Sequence, residues 1–86
     1  MRSVPGSCDE RLFETLRQWR TAQAHEEGAP AFVVFHDRVL RAIATSLPTD
    51  GDGLRAIPGI GRTKLEKYGH IVLAIVQAHL KDTARR

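Results

Sequence analysis

The stretch Leu54-Arg55-Ala56-Ile57-Pro58-Gly59-Ile60-Gly61-Arg62-Thr63-Lys64-Leu65 decides how this chain is read. It reads as a short helix, a glycine hairpin and the start of a second helix. Glycine permits tight turns and a close approach of the backbone to another molecule. Gly59 and Gly61 bracket Ile60, so Ile60 can plug the hairpin into a core while the glycine amides face outward. A positive φ is expected at Gly61. The next helix should begin near Arg62, and the unpaired amides of a helix N-terminus suit a phosphate. Arg62, Lys64 and Lys67 place cations beside those amides. Such a constellation grips a nucleic-acid backbone without reading its bases. The alternative is a hairpin that only packs helices together.

Upstream of the hairpin the pattern is helical. Ser7-Cys8-Asp9-Glu10 fits a capping box with Ser7 as N-cap. Leu12, Leu16, Trp19 and Gln23 follow helical spacing, Phe13 widens the stripe, and Arg11, Glu14, Arg17 and Arg20 fill the polar side. A helix over Asp9 to Glu26 ends at Gly28. Pro30-Ala31-Phe32-Val33-Val34-Phe35 has strand-like composition, but no second strand exists to pair with it, so one helical turn is expected. A helix over Asp37 to Ser46 follows, with Val39, Leu40, Ile43 and Leu47 inward. Pro48 ends it by pushing its predecessor out of helical geometry. Thr49-Asp50-Gly51-Asp52 resembles another N-cap, opening a short helix that runs through Leu54 to Ile57. The last helix spans Arg62 to Lys81, with Leu65, Tyr68, Val72, Ile75, Val76 and His79 on its inner stripe. Gly69 within it implies a close neighbour there, because glycine costs a helix interior about 1 kcal/mol. The sum is an all-α compact bundle of four to five helices with a helix-hairpin-helix-like glycine turn. Residues 1–8 read as a linker, 9–81 as the domain and 82–86 as a basic tail.

The chain has 86 residues, which suits one domain with a modest core. Its hydrophobic fraction of 42% and charged fraction of 27% are ordinary for a globular protein. No run of about 18 apolar residues suggests a membrane span, and Met1 to Gly6 is too short and polar for a secretory signal. Cys8 is the single cysteine, fitting a reducing cytoplasm. Net charge is +3, unevenly spread: residues 1–54 carry −2 and residues 55–86 carry +5. The positive half holds the hairpin, which is the footprint of an acidic partner.

These residues resemble the HRDC domain, the helicase-and-RNase-D C-terminal module. The likeness is carried by Leu16 to Arg20, Pro30 to Phe35, Asp37-Arg38-Val39-Leu40, Ile43-Ala44, Pro48, Leu54, Ile57 to Gly61, Lys64-Leu65 and Tyr68-Gly69. It covers roughly residues 9 to 80, nearest to bacterial RecQ-like and UvrD-like helicase versions. It implies a five-helix accessory module of a larger DNA helicase. Such a module has no catalytic activity of its own. It contacts single-stranded or forked DNA and tunes substrate choice. In some bacterial RecQ members a tyrosine that helps bind single strands stands where this chain has Phe32, which keeps the ring and lacks the hydroxyl.

The expected nucleic-acid contacts are therefore Gly59, Gly61, Arg62, Lys64, Lys67, Phe32 and Arg38, with Arg41 able to extend the surface. Glu66, four residues after Arg62, can pair with it. Trp19, Phe35 and Tyr68 are expected in the core. None of His25, His36, His70 and His79 stands four residues from another, so no metal site is expected. Gly59 to Lys64 lacks the spacer and ending of a P-loop, no strand precedes it, and no nucleophile and base pair up. No cofactor and no catalysis are expected, and the domain should be a cytoplasmic monomer. The rival function is a regulatory module that docks on its parent helicase core or another protein, favoured by the acidic first helix.

Overall fold

The structure, a computed structural model, describes residues 8–84. Five helices follow one another: α1 (Glu10–Glu27), α2 (Ala31–Val34), α3 (Asp37–Ser46), α4 (Gly51–Arg55) and α5 (Arg62–Ala84). No strand occurs among the described residues, so the valine- and phenylalanine-rich segment is the single turn α2.

Local chemistry sets the helix ends. Asp9, not Ser7, caps α1: its Oδ1 accepts from the Leu12 amide at 3.2 Å. Ser7 lies outside the described residues, and Glu10 turns away to meet Arg41 Nη1 at 3.5 Å. Gly28 terminates α1 in the left-handed region at φ 67°, where its amide reaches back to the carbonyls of Ala24 and His25. Leu47 ends α3 at φ 52°, the one non-glycine residue with positive φ among those described. Pro48 thus stops the helix as expected, but its predecessor turns left-handed rather than extended. Asp50 caps α4 by accepting from the Gly53 amide at 2.8 Å. α5 continues to Ala84, three residues past its expected end at Lys81, with Leu80 still packed on the core.

Helix α1 packs against α2, α3 and α5, and α4 lies on α5. The centre is built from Leu12 and Leu16 of α1, Leu40 and Ile43 of α3, and Val72 and Val76 of α5, all fully buried. Gly69 has the role its placement implied. A side chain there would crowd Leu65 at 3.0 Å and meet Leu54 of α4 at 3.8 Å. His79 Nε2 stands 2.7 Å from Asp9 Oδ2, tying the later part of α5 to the cap of α1.

One expectation is reversed. Arg20 does not lie on the polar side of α1: it is only 7% exposed. Its Nη1 donates to the Phe35 carbonyl at 3.0 Å and to Asp37 Oδ1 at 2.6 Å, while its buried Nε has no hydrogen-bond partner among the described residues. Leu12, Leu16, Arg20 and Ala24 form a four-residue series on one helix face. The spacing that found the two leucines therefore also pointed to the arginine.

Candidate nucleic-acid interface

The hairpin is a four-residue turn. The Ile60 amide donates to the Ile57 carbonyl at 3.1 Å, with Pro58 and Gly59 at the two central positions. Gly59 has φ +99°. Proline followed by a positive-φ glycine is the pattern of a type II turn. Ile57 and Ile60 are buried and anchor the turn in the core, while Pro58 and Gly59 face solvent. The positive φ is thus at Gly59 and not at Gly61. Gly61 accepts the first helical bond of α5, from the Leu65 amide at 3.0 Å, and a side chain on it would meet nothing within 4 Å. A side chain at Gly59 would stand 2.6 Å from Val39 Cγ2, so this glycine lets α3 approach the turn.

That approach creates the first part of the surface. Arg38 and Ala42 of α3 line a shallow groove of about 330 Å³ with Pro58 and Gly59. Arg41 is committed elsewhere. Its guanidinium carbon lies 4.1 Å from the centre of the Phe13 ring, and Nη1 reaches Glu10. Arg41, half-exposed, thus already has an aromatic ring and a carboxylate as partners.

The cations of α5 divide. Arg62 is 84% exposed and its Nε lies 3.5 Å from Glu66 Oε2, the pair expected from their spacing. At about 100° per residue, Lys64 and Lys67 lie well around the helix from Arg62. They stand over an aromatic cluster instead. Lys64 Nζ is 5.4 Å from the Phe35 ring centre and Lys67 Nζ is 5.2 Å from that of Tyr68. Phe35 and Tyr68 meet edge to face at 5.6 Å, and Trp19, half-buried, completes the cluster. Lys67 also faces Glu27 Oε1 at 3.8 Å. Glu27 Oε2 accepts from the Tyr68 hydroxyl at 2.6 Å and from Gln23 Nε2 at 2.9 Å. These two donors and Lys67 hold the Glu27 carboxyl below its ordinary range. Burial and the Glu27 partner push the Tyr68 hydroxyl up. Among the described residues, Lys64 and Arg38 pair with no carboxylate.

Phe32 lies on the outer side of α2. It is 58% exposed and Val33 beside it is also exposed, while Val34 and Phe35 are buried. The Phe32 ring stacks on His36, with centroids 5.8 Å apart and planes at 25°. His36 was not among the expected contacts. Its four-residue spacing from Phe32 was the available signal, but it lies beyond the end of α2. Asp37 next to it is held below the usual carboxylate range by its hydrogen bond from Arg20.

The paired acids of the first half also matter. Glu10 meets Arg41, Glu14 meets Arg17 at 2.6 Å, and Glu27 meets Lys67. Three glutamates of the acidic first helix are thus matched locally by a cation.

Comparison with known proteins follows the same outline. A family model described as HRDC domain matches residues 9–76. The ATP-dependent DNA helicase UvrD2 of Mycobacterium tuberculosis is 54% identical over 69 residues, covering 80% of this chain and 10% of that protein. The ATP-dependent DNA helicase RecQ of Bacillus subtilis is 40% identical over 75 residues, covering 87% of this chain and 13% of that one. The chain thus spans about a tenth of the length of these relatives. Among solved structures, D. radiodurans RecQ HRDC domain 3 superposes with a TM-score of 0.76 at 36% identity, covering 80% of this chain and 91% of that one.

Proposed function

Because the chain belongs to the HRDC family, we propose that it is a non-catalytic accessory module of a DNA helicase. In this reading it holds the backbone of single-stranded or forked DNA and tunes which substrates the helicase engages. The observation that carries the reading is the exposure of Phe32, a large ring 58% exposed to solvent. A nucleobase stacked on such a ring contributes about 1–3 kcal/mol. Arg38 and Lys64 are the phosphate contacts of first choice, because no carboxylate must be displaced from either. Arg62 and Lys67 each have a glutamate to shed. The Pro58–Gly59 turn brings backbone to the edge of the groove beside Arg38.

Affinity of the 86-residue chain for single-stranded DNA, forked DNA and single-stranded RNA, measured across salt concentration, tests this reading. Each phosphate contact on a single strand adds about 0.7 to the logarithmic salt slope. Arg38→Ala and Lys64→Ala should each lower the slope by about that amount. Absence of salt-dependent binding to all three probes refutes the proposal. The exposed Phe32–Val33 pair also favours the second reading, in which the module docks on its parent helicase core or another protein. In that case Val33→Ala weakens association with a separately purified core and leaves DNA binding unchanged.

A further inference from the structure

We infer that His36 is a positioning residue for base stacking: its imidazole backs the Phe32 ring, so that an unpaired nucleobase is received on the opposite face of Phe32. The inference deepens the proposed nucleic-acid role and rests on it. The two rings are near-parallel, and both residues are exposed. His36 occupies the N-cap of α3, yet its side chain makes no capping hydrogen bond. Serine, threonine, aspartate or asparagine would cap that helix better. The ring therefore does not cap α3, and it stacks on Phe32.

The backbone beneath this pair is held by hydrogen bonds. The buried Arg20 guanidinium bonds the Phe35 carbonyl at 3.0 Å and the Asp37 carboxylate at 2.6 Å, the residues on either side of His36. The Phe35 amide closes the turn of α2 onto the Ala31 carbonyl at 3.3 Å. One buried side chain thus fixes the backbone that aims the imidazole. A base on the outer face would complete a three-ring stack of base, Phe32 and His36. Arg38, two residues further on, leads toward the groove beside Gly59. Holding one otherwise mobile side chain in its bound orientation is worth about a two- to tenfold gain in affinity.

The test is equilibrium binding of a fluorescently labelled oligothymidylate to the wild-type chain, Phe32→Ala, His36→Ala, His36→Phe and the double alanine variant. Phe32→Ala should weaken binding by about fivefold or more. His36→Ala should weaken it about two- to tenfold with the salt slope unchanged, because the imidazole orients a ring and neutralises no phosphate. His36→Phe should restore affinity, and His36→Ala should add nothing once Phe32 is gone. Matching melting temperatures for His36→Ala and wild type exclude a folding effect. Three results overturn the inference: undiminished binding by His36→Ala, a fall in salt slope, or an equal loss with and without Phe32. Failure of His36→Phe to restore binding does the same. If the wild-type chain ignores the oligonucleotide, or Phe32→Ala binds as wild type, the proposed function falls together with this inference.

Discussion

Replacing Gly59 by alanine should destabilise the domain far more than the same change at Gly61. The backbone at Gly59 has φ +99°, where a side chain costs about 1–2 kcal/mol through contact of Cβ with the carbonyl. The new Cβ would also stand 2.6 Å from Val39 Cγ2. Val39 is buried in a helix and branched at Cβ, so it has essentially one rotamer and cannot swing aside. Overpacking of this kind costs about 1–3 kcal/mol. The sum is roughly 2–5 kcal/mol, a large share of the roughly 4–13 kcal/mol available to a domain this small. At about 4–8 °C per kcal/mol, the melting temperature should fall by about 10 °C or more. Gly61→Ala meets open space without a positive φ and should stay within about 0.5 kcal/mol of wild type. Adding Val39→Ala to Gly59→Ala removes the crowding and leaves the φ strain. The pair should therefore recover about 1–3 kcal/mol relative to additivity. Thermal and denaturant melts of the four variants measure this. If Gly59→Ala melts within about 2 °C of wild type, or Gly61→Ala costs more, the turn geometry argued here is wrong.

Other changes probe other contacts. Arg20→Ala leaves the buried Phe35 carbonyl without its donor and should cost about 1–3 kcal/mol in denaturant unfolding. Asp37→Asn, with its side chain 65% exposed, should cost less than about 1 kcal/mol; equal losses would refute this division of roles. Phe32→Tyr should keep stability within about 0.5 kcal/mol, because the added hydroxyl reaches water, and should raise single-strand affinity a few fold at most. A clear drop in melting temperature would mean that Phe32 is packed inside. Acid should destabilise the fold. Partial burial pushes the Asp9 carboxyl up, but its bonds to His79 and the Leu12 amide outweigh this and hold it below the ordinary value. A depressed folded pKa stabilises above the unfolded value of about 3.9 and is lost as pH falls through the folded one. Asp9→Asn should thus flatten the fall in melting temperature below about pH 4, and an unchanged acid limb would remove Asp9 from that role.

Helix content was legible because it is local. The three- and four-residue steps of Leu12 and Leu16, of Leu40 and Ile43, and of Tyr68, Val72 and Val76 each define a buried stripe within one segment. Gly28 and Asp50 act at helix ends through their own backbones or nearest neighbours. The Arg62–Glu66 pair, one turn apart, was readable for the same reason. Arg20 has the spacing of a core residue and the charge of a surface one, and its periodicity is the better guide. A guanidinium can enter a core when a carbonyl and a carboxylate meet it there, and both come from a segment fifteen to seventeen residues away.

By itself the sequence determined an all-helical chain, the order of its helices, and a glycine turn plugged into the core by Ile60. Each of these follows from spacing and backbone freedom over a few residues. The tertiary structure decided which glycine needs its freedom, because Val39 of α3 lies against Gly59 while a Cβ on Gly61 would meet no described residue within 4 Å. It decided which cations remain available, since Glu27 reaches Lys67 from the far end of α1 while Lys64 and Arg38 meet no carboxylate among the described residues. It also decided that Phe32 faces water beside His36 while Phe35, three residues on, is buried. The physical reason is common to all three. Helical spacing gives a side chain its direction around its own axis, and only the packing of other helices determines what it meets there.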